Sequence, residues 1–530
     1  MFRYTKILIL FFLLYTSNII AQNTNTSQLN AQKFATVLFL IDRYYVDTVN
    51  TDKVVEDAII AALRELDPHS AYISKNDVEK ANEPLVGSFE GIGVTYQLIR
   101  DTITVIGATP GGPSEKVGIM AGDKIIKIDG ENAFGKKIDN EYVQKRLRGK
   151  KGTKVTVSIK RGNDKELIDF EITRDKIPLN SINASFMMEK GVGYIKLDRF
   201  AQESSKEFLS AMQKLQSEGM NSLILDLRSN SGGYLNTAID MVDHFFKANQ
   251  LIVYTEGLHS ERQEWRSSNK GCYTEGKVVV LIDEGSASAS EILAGAIQDH
   301  DRGVIIGRRS FGKGLVQRPF NLPDGAVIRL TTARYHTPTG RCIQRPYEGG
   351  VEDYYKEMTK RLEHGEYFHA DSIHFPDSLK YKTDGGRIVY GGGGIMPDIF
   401  MPIDTSFNSK LYTNLVRKGV LNRYTVDYAI NNREQIMHDY PEFSEFNKKF
   451  QITETMIDTL KKMAEQDKII WSDEDFKRSE KYIRLQIKAL IARNVWEMQQ
   501  YYEVTLTEDP TIMKALEVIG SNKEYQRILR

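Results

Sequence analysis

Three short stretches carry residues whose types and spacing suit nucleophilic chemistry at a carbonyl. The first is Gly285-Ser286-Ala287-Ser288-Ala289-Ser290-Glu291-Ile292. It follows the apolar run Val278-Val279-Val280-Leu281-Ile282, which reads as a buried strand, and it opens a helical pattern over Ser290–Gln298. A serine at such a junction meets the positive end of a helix dipole and the unpaired backbone N–H groups of the first turn. A nucleophile that must face an oxyanion needs both. Serine is also an ordinary helix cap, so the run alone leaves both readings open. The second stretch is Leu223-Ile224-Leu225-Asp226-Leu227-Arg228-Ser229-Asn230-Ser231-Gly232-Gly233. A buried strand runs there into paired glycines, which let the backbone approach a ligand closely and turn its N–H groups inward. The third is Gly307-Arg308-Arg309-Ser310-Phe311-Gly312-Lys313-Gly314-Leu315-Val316-Gln317, after the strand pattern Val304–Ile306.

Two rival chemistries fit less well. Gly307 to Lys313 has the spacing of a phosphate-binding loop, but Gly314 stands where Ser or Thr would hold magnesium, and a β-like run follows instead of a helix. A histidine triad would draw on His300 or His336, yet no G-x-S-x-G elbow is present, and His300 at a helix end reads as a C-cap. His364, His369 and His374 are spaced five apart in a polar segment, which matches no metal-ligand pattern and predicts solvated side chains. Cys272 and Cys342 form no C-x-x-C; a disulfide and two free thiols both fit the sequence.

The elements that must position these residues are legible in outline. A chain of 530 residues is too long for one core. Its 41% hydrophobic and 27% charged content is that of a globular protein, and its zero net charge gives no footprint for nucleic acid. Arg3, Lys6 and the apolar run Ile7–Tyr15 predict an export signal over 1–21, with an uncleaved membrane anchor as the competing reading. A polar tether is expected at 22–30, and helical spacing at 31–47 and 52–66 makes 22–83 an N-terminal helical region. Between residues 84 and 178 short β-rich runs alternate with glycine turns. Strands alternating with helices over 179–404 imply a layered α/β core, with an irregular polar insertion at 350–385. From 405 to 530 the signal is helical and reads as a separate domain, including one long helix from about Trp471 to Tyr502.

Two resemblances sharpen this reading. Gly91-Ile92-Gly93-Val94, Pro113-Ser114-Glu115-Lys116-Val117-Gly118-Ile119 and the strands at Gly122–Gly130 and Gly152–Ile159 occur in the order of a circularly permuted PDZ domain of bacterial proteases. That resemblance implies a peptide-binding loop at Phe89, Gly91, Ile92, Gly93 and Val94, which would hold a substrate's C-terminal carboxylate. The three stretches together, in order, resemble the carboxyl-terminal (tail-specific) processing peptidases, a Ser–Lys family, over most of residues 31–405.

The resemblance implies a crotonase-like or ClpP-like α/β protease core, with an inserted β-rich PDZ domain and flanking helical regions. It implies Ser288 as nucleophile, Lys313 as base and Gln317 as the residue orienting the lysine. Gly233 and Ala289 would supply the oxyanion N–H groups, with Gly232 an alternative to Gly233, and Glu291 and Ser310 would support the site. The chemistry is consistent: lysine titrates near about 10.4 in water, and burial depresses that enough to make it a base for serine. The implied activity is an exported, periplasmic serine endopeptidase that cuts near the C-terminus of proteins with non-polar tails, without metal or organic cofactor. A non-catalytic or gated PDZ scaffold is the alternative. Adaptor binding or self-association is the partner role left for the helical regions.

Overall fold

The computed structural model describes residues 26–135, 138–162 and 164–530. The export segment expected at 1–21 lies outside the described residues, and no helix among those described is long and apolar enough to cross a membrane. The tether expected at 22–30 is already helical from residue 26, and that helix runs through residue 44. It leaves Phe34, Val37, Leu40 and Tyr44 exposed.

Helix α1 (Thr51–Arg64) starts where the Asn50 side chain accepts the Lys53 N–H at 3.1 Å. It ends before an Asp67-Pro68 loop, and the short strand β1 (Ala71–Ile73) follows. A β-domain comes next, on β2 (Val94–Ile99), β3 (Thr102–Ala108), β4 (Lys124–Ile128), α2 (Asn140–Leu147), β5 (Lys154–Lys160) and β6 (Ile168–Thr173). The order β2-β3-β4-β5-β6 leaves β2 as an open edge. Ile103, Val105, Ile125, Ile128, Val157 and Ile159 are buried in one core, and Ile125 and Ile128, three apart, both reach it because the register of β4 against β5 slips between Ile125 and Lys127. Ser88–Gly91 does not continue into β2; it pairs with Asp175–Pro178 in a separate two-stranded ribbon that leads to the core.

The central sheet is built from β7 (Ile182–Met187), β8 (Val192–Leu197), β9 (Ser222–Asp226), β12 (Lys277–Ile282), β13 (Val304–Gly307) and β16 (Ile399–Phe400), in that order. All neighbours after the β7–β8 pair are parallel. Parallel strands need crossovers, here α3 (Ser204–Ser217), α4 (Leu235–Asp243) and α5 (Ala289–Asp299). A second sheet sets β15 (Val327–His336) between β14 (Leu315–Asn321) on one side and β1 and β10 (Leu251–Gly257) on the other, with β11 (Ser260–Arg266) paired to β10. The polar segment expected to be irregular instead forms helix α6 (Val351–Glu363), which buries Tyr354 and Arg361. Arg361 donates to the carbonyls of Arg309 (2.9 Å) and Ser310 (3.1 Å), so this helix props one of the chemistry-bearing stretches.

Both faces of the central sheet are dry, which explains the unbroken apolar runs of its strands. Leu223, Leu225, Val278, Val280 and Ile305 pack against α3, α4 and α5. Ile224, Val279, Leu281, Val304 and Ile306 face the opposite way. They are covered by the C-terminal helices α7 (Pro510–Gly520) and α8 (Asn522–Ile528), through Ile512, Ala515, Val518, Ile519 and Tyr525. The stretch 405–530 is therefore divided. Its first part, from Leu411 to Val504, builds its own core, and its last helices complete the central sheet. The long helix expected to about Tyr502 stops at Val495, and a second helix starts at Met498. Deleting a buried branched side chain costs about 2–5 kcal/mol. Ile512→Ala should lower stability in chemical denaturation by that amount, in the same transition that melts the central sheet. A separate, earlier transition carrying the loss would contradict this packing.

Candidate active site

The turn between β12 and α5 carries three serines, and the structure separates them. Ser286 Oγ donates to the Leu227 carbonyl at 2.8 Å, and Ser290 Oγ to the Asn230 carbonyl at 2.8 Å. Both are fully buried and spent on tying this turn to the glycine stretch after β9. Ser288 alone keeps accessible surface. Its backbone sits at φ 56°, ψ −113°, a left-handed conformation that a residue with a Cβ adopts only under constraint. Such strain costs about 1–3 kcal/mol and marks a side chain aimed by its surroundings.

The constraint is visible in Glu291, one turn into α5. This carboxylate is 1% exposed and accepts four hydrogen bonds. One oxygen takes the N–H groups of Ser288 (2.8 Å) and Lys313 (2.9 Å); the other takes Ser310 Oγ (2.6 Å) and the Gly312 N–H (2.7 Å). Burial pushes its carboxyl up to about 7, against the pull of those four donors. From the other side the buried Tyr335 hydroxyl reaches the carbonyls of Lys313 (2.7 Å) and Ser288 (3.2 Å). The backbone polar groups of Ser288 and Lys313 are thus held in common, N–H by Glu291 and C=O by Tyr335. Desolvation lowers the Lys313 amine below the ordinary lysine value; Glu291 opposes it, Arg329 adds to it, and Asp67 opposes it. Gly312, at φ 88°, and Gly314 let this segment pack against its neighbours. A Cβ on Gly314 would stand 2.8 Å from the Gln344 nitrogen.

The glycine pair lies against the serine turn. A Cβ on Gly232 would come within 2.8 Å of Ser288 Cβ and 2.9 Å of the Ala289 nitrogen. The two glycines differ in what their N–H groups do. Gly232 donates to Asn230 Oδ1 at 2.9 Å. Gly233 and Ala289 donate to no acceptor among the described residues. Asn230 is fully buried and holds the junction: it also donates to the Leu197 carbonyl at 2.9 Å, and its own carbonyl accepts the Ala287 N–H at 3.0 Å. Gln317 lies on β14 and donates from Nε2 to Thr331 Oγ1 at 3.2 Å.

The rival histidines lie elsewhere. His300 closes the far end of α5, bonded to Asp384 and to the Leu251 carbonyl, each at 2.7 Å. His336 stacks on Tyr254 at 4.7 Å. His364, His369 and His374 are exposed, and Cys272 and Cys342 are both free thiols. The segment after Gly314 enters strand β14, as a phosphate-binding loop would not. In the β-domain, Gly91, Ile92 and Gly93 are buried and lead into the open edge of β2, which begins at Val94. Phe89 lies under the Arg148 guanidinium at 4.4 Å, and Arg148 pairs with Glu83 at 2.6 Å. Asn230 and Tyr335 escaped the sequence reading. Asn230 stood within a stretch already singled out, whereas nothing local distinguishes Tyr335.

Comparison with known proteins gives three family matches: Peptidase family S41 over residues 191–355, a PDZ domain over 91–172, and a family of unknown function (DUF8443) over 411–497. The chain is 34% identical over 346 residues to the carboxy-terminal processing protease CtpB of Bacillus subtilis (strain 168), covering 64% of this chain and 69% of that one. It is 36% identical over 333 residues to the carboxy-terminal-processing protease of Bartonella bacilliformis, covering 62% and 75%. Among solved structures, the photosystem II D1 C-terminal processing protease is similar at 28% identity and a TM-score of 0.34, covering 59% of this chain and 89% of that one.

Glu291→Gln tests the clamp. Glutamine keeps one acceptor oxygen and turns an NH2 toward the other two donors, which go unsatisfied at about 1–3 kcal/mol each. Stability should fall by about 2–5 kcal/mol. A carboxyl raised in the folded state from 4.5 to about 7 stabilises the fold most below pH 4.5 and loses that contribution as the pH rises through 7. The wild-type margin over Glu291→Gln should therefore shrink across that window; a pH-independent margin would show that Glu291 titrates normally.

Proposed function

The chain belongs to the carboxy-terminal processing proteases of peptidase family S41, serine-type proteases, and carries their PDZ domain; from this premise we propose a Ser–Lys mechanism with Ser288 as nucleophile and Lys313 as general base. The observation that carries the reading is the shared clamp: Glu291 and Tyr335 hold the backbones of Ser288 and Lys313 to one another, and only Ser288 of the three serines is accessible.

The steps follow from the chemistry of these groups. The desolvated Lys313 amine, neutral for part of its population, takes the Ser288 hydroxyl proton as Oγ attacks the scissile carbonyl. Negative charge develops on the carbonyl oxygen, and the uncommitted N–H groups of Gly233 and Ala289 receive it. Gly232, whose N–H is engaged by Asn230, is the weaker candidate for that role. The ammonium of Lys313 then returns its proton to the leaving amine, and water attacks the acyl-enzyme by the reverse route. Gln317 orients the lysine, and Glu291 and Ser310 keep the serine turn and the lysine loop in register.

The substrate reading is a protein with a non-polar C-terminal tail, exported with the enzyme. Its tail would add as a strand to the open edge of β2, with its carboxylate at the Phe89–Val94 loop. Support comes from that free edge and from the buried glycine turn that precedes it.

Cleavage of an unfolded reporter with a non-polar C-terminus tests the assignment. Ser288→Ala and Lys313→Ala should each lose at least roughly 10³-fold in kcat/KM. His300→Ala, if folded, should stay within about threefold of wild type. Rate should rise with pH along an acid limb set by Lys313, at a pH below that of free lysine because burial lowers its value. Activity surviving in Lys313→Ala would end the Ser–Lys reading, and activity lost in a folded His300→Ala would revive the histidine triad.

A further inference from the structure

The loop between α1 and β1 lies outside all three stretches singled out by their chemistry, yet it touches the site. We propose that Asp67 on this loop is a positioning residue for the base: through Thr331 it fixes which edge of the Gln317 amide faces Lys313. The inference rests on the Ser–Lys reading above and extends it to a second layer of residues.

The argument is one of donors and acceptors. Asp67 is 6% exposed. Its Oδ1 accepts the N–H groups of His69 and Ser70, each at 2.8 Å, and the Thr331 hydroxyl at 3.0 Å; its Oδ2 accepts the Ser70 hydroxyl at 2.5 Å. An ionised carboxylate only accepts, so the Thr331 hydroxyl proton is committed to Asp67. What Thr331 then offers to Gln317 is a lone pair, and Gln317 meets it with Nε2 at 3.2 Å. With its NH2 directed to Thr331, the amide presents Oε1 on its other edge. In the proposed arrangement that oxygen turns to the Lys313 amine, accepts one of its N–H groups and leaves the amine lone pair for the serine proton. A reversed amide would turn donors on the lysine instead, and they would compete for the lone pair that catalysis requires.

The backbone is built to bring these groups together. β1 pairs antiparallel with β15, Ala71 opposite Arg329, which lays the Asp67 loop beside Thr331. The Thr331 N–H donates to Ser70 Oγ at 3.0 Å. On the other side of β15 the register slips by one residue, Val316 facing Ala333 but Gln317 facing Thr331. That bulge at Thr332 sets Gln317 opposite the hydroxyl rather than beside it. The charged and titratable groups that act on the Lys313 amine are Glu291 of α5, Arg329 of β15 and Asp67. His69 feels the lysine in turn and is held neutral, lowered to about 4 mainly by burial, with its Nε2 at 2.9 Å from the Tyr354 hydroxyl.

The test uses the full chain and the reporter above, with kcat, KM, the pH profile of kcat and the thermal midpoint measured for Asp67→Asn, Thr331→Val and Thr331→Ser. Asparagine can donate to Thr331, which frees the hydroxyl proton for Gln317 and permits the reversed amide. Plateau kcat should fall about ten- to hundredfold with KM within about twofold. The acid limb should move to lower pH, because Asp67 raises the lysine value and its charge is gone. Thr331→Val should lose kcat to a similar degree, and Thr331→Ser, which restores the hydroxyl, should recover most of it. This pair stands in for Asp67→Asn should the turn fail to fold.

A merely structural role predicts something else: kcat tracking the thermal midpoint across all three variants, with KM moving alongside it. That pattern, or Thr331→Ser no better than Thr331→Val, would overturn the proposal. Lys313→Ala in the same series separates the two layers, since activity retained there refutes the Ser–Lys reading itself.

Discussion

Glu291 holds the site together by satisfying backbone that nothing else could satisfy. The segment from Ser310 to Lys313 and the first residue before α5 are separated by helix α5 and strand β13 and meet inside the protein, where each unpaired N–H costs about 1–3 kcal/mol. One buried carboxylate absorbs three such N–H groups and a hydroxyl. The strained conformation of Ser288 persists because its N–H is held by Glu291 and its carbonyl accepts the first-turn N–H groups of Glu291 and Ile292, with the Tyr335 hydroxyl beside it. Remove either anchor and the serine turn can relax toward an ordinary helix cap, for which it has the sequence. The rest of the architecture serves to keep water away from this carboxylate and to hold its four donors in place.

The same economy recurs at the end of β9. Asp226 is buried beside Lys196 and Arg228, and Tyr194 donates to it at 2.9 Å. Burial pushes its carboxyl up, but Arg228 and then Lys196 outweigh that and hold it below the usual range. Arg228 also pairs at 2.7 Å with Asp509, which caps α7. The C-terminal helices therefore meet the segment that carries Asn230, Gly232 and Gly233 through a charged contact as well as through apolar packing. Two layers that are remote in sequence converge on the backbone that faces Ser288.

How much of this was legible in the sequence depended on locality. The strands of the central sheet and the β-domain were visible as apolar runs, because burial on two faces leaves a continuous signature and burial on one leaves an alternating one. The serine turn and the lysine loop were visible as motifs, though physics alone could not choose among Ser286, Ser288 and Ser290. That choice needed the partners of the other two hydroxyls. Tyr335, Asp67 and Thr331 were silent because their roles depend on strand register, including a one-residue bulge that no composition reveals. The helix at Val351–Glu363 was hidden by its polar residues; its buried Arg361 is satisfied by carbonyls of a distant loop, so its sequence reads as surface. The C-terminal helices showed an apolar face, but a face does not say which sheet it will cover.

That last point bears on the order in which the molecule becomes an enzyme. The strands that carry the serine and the lysine are made long before Ile512 and Tyr525, yet one side of their sheet is closed only by helices containing those two residues. A chain emerging N-terminus first would hold the serine turn and the lysine loop on a sheet still open to solvent on one side, with Asp509 not yet there to meet Arg228. Synthesis thus outruns assembly, and the serine turn and the lysine loop gain their full support late, near the finish of translation. For a protease, such lateness is a form of restraint written into topology.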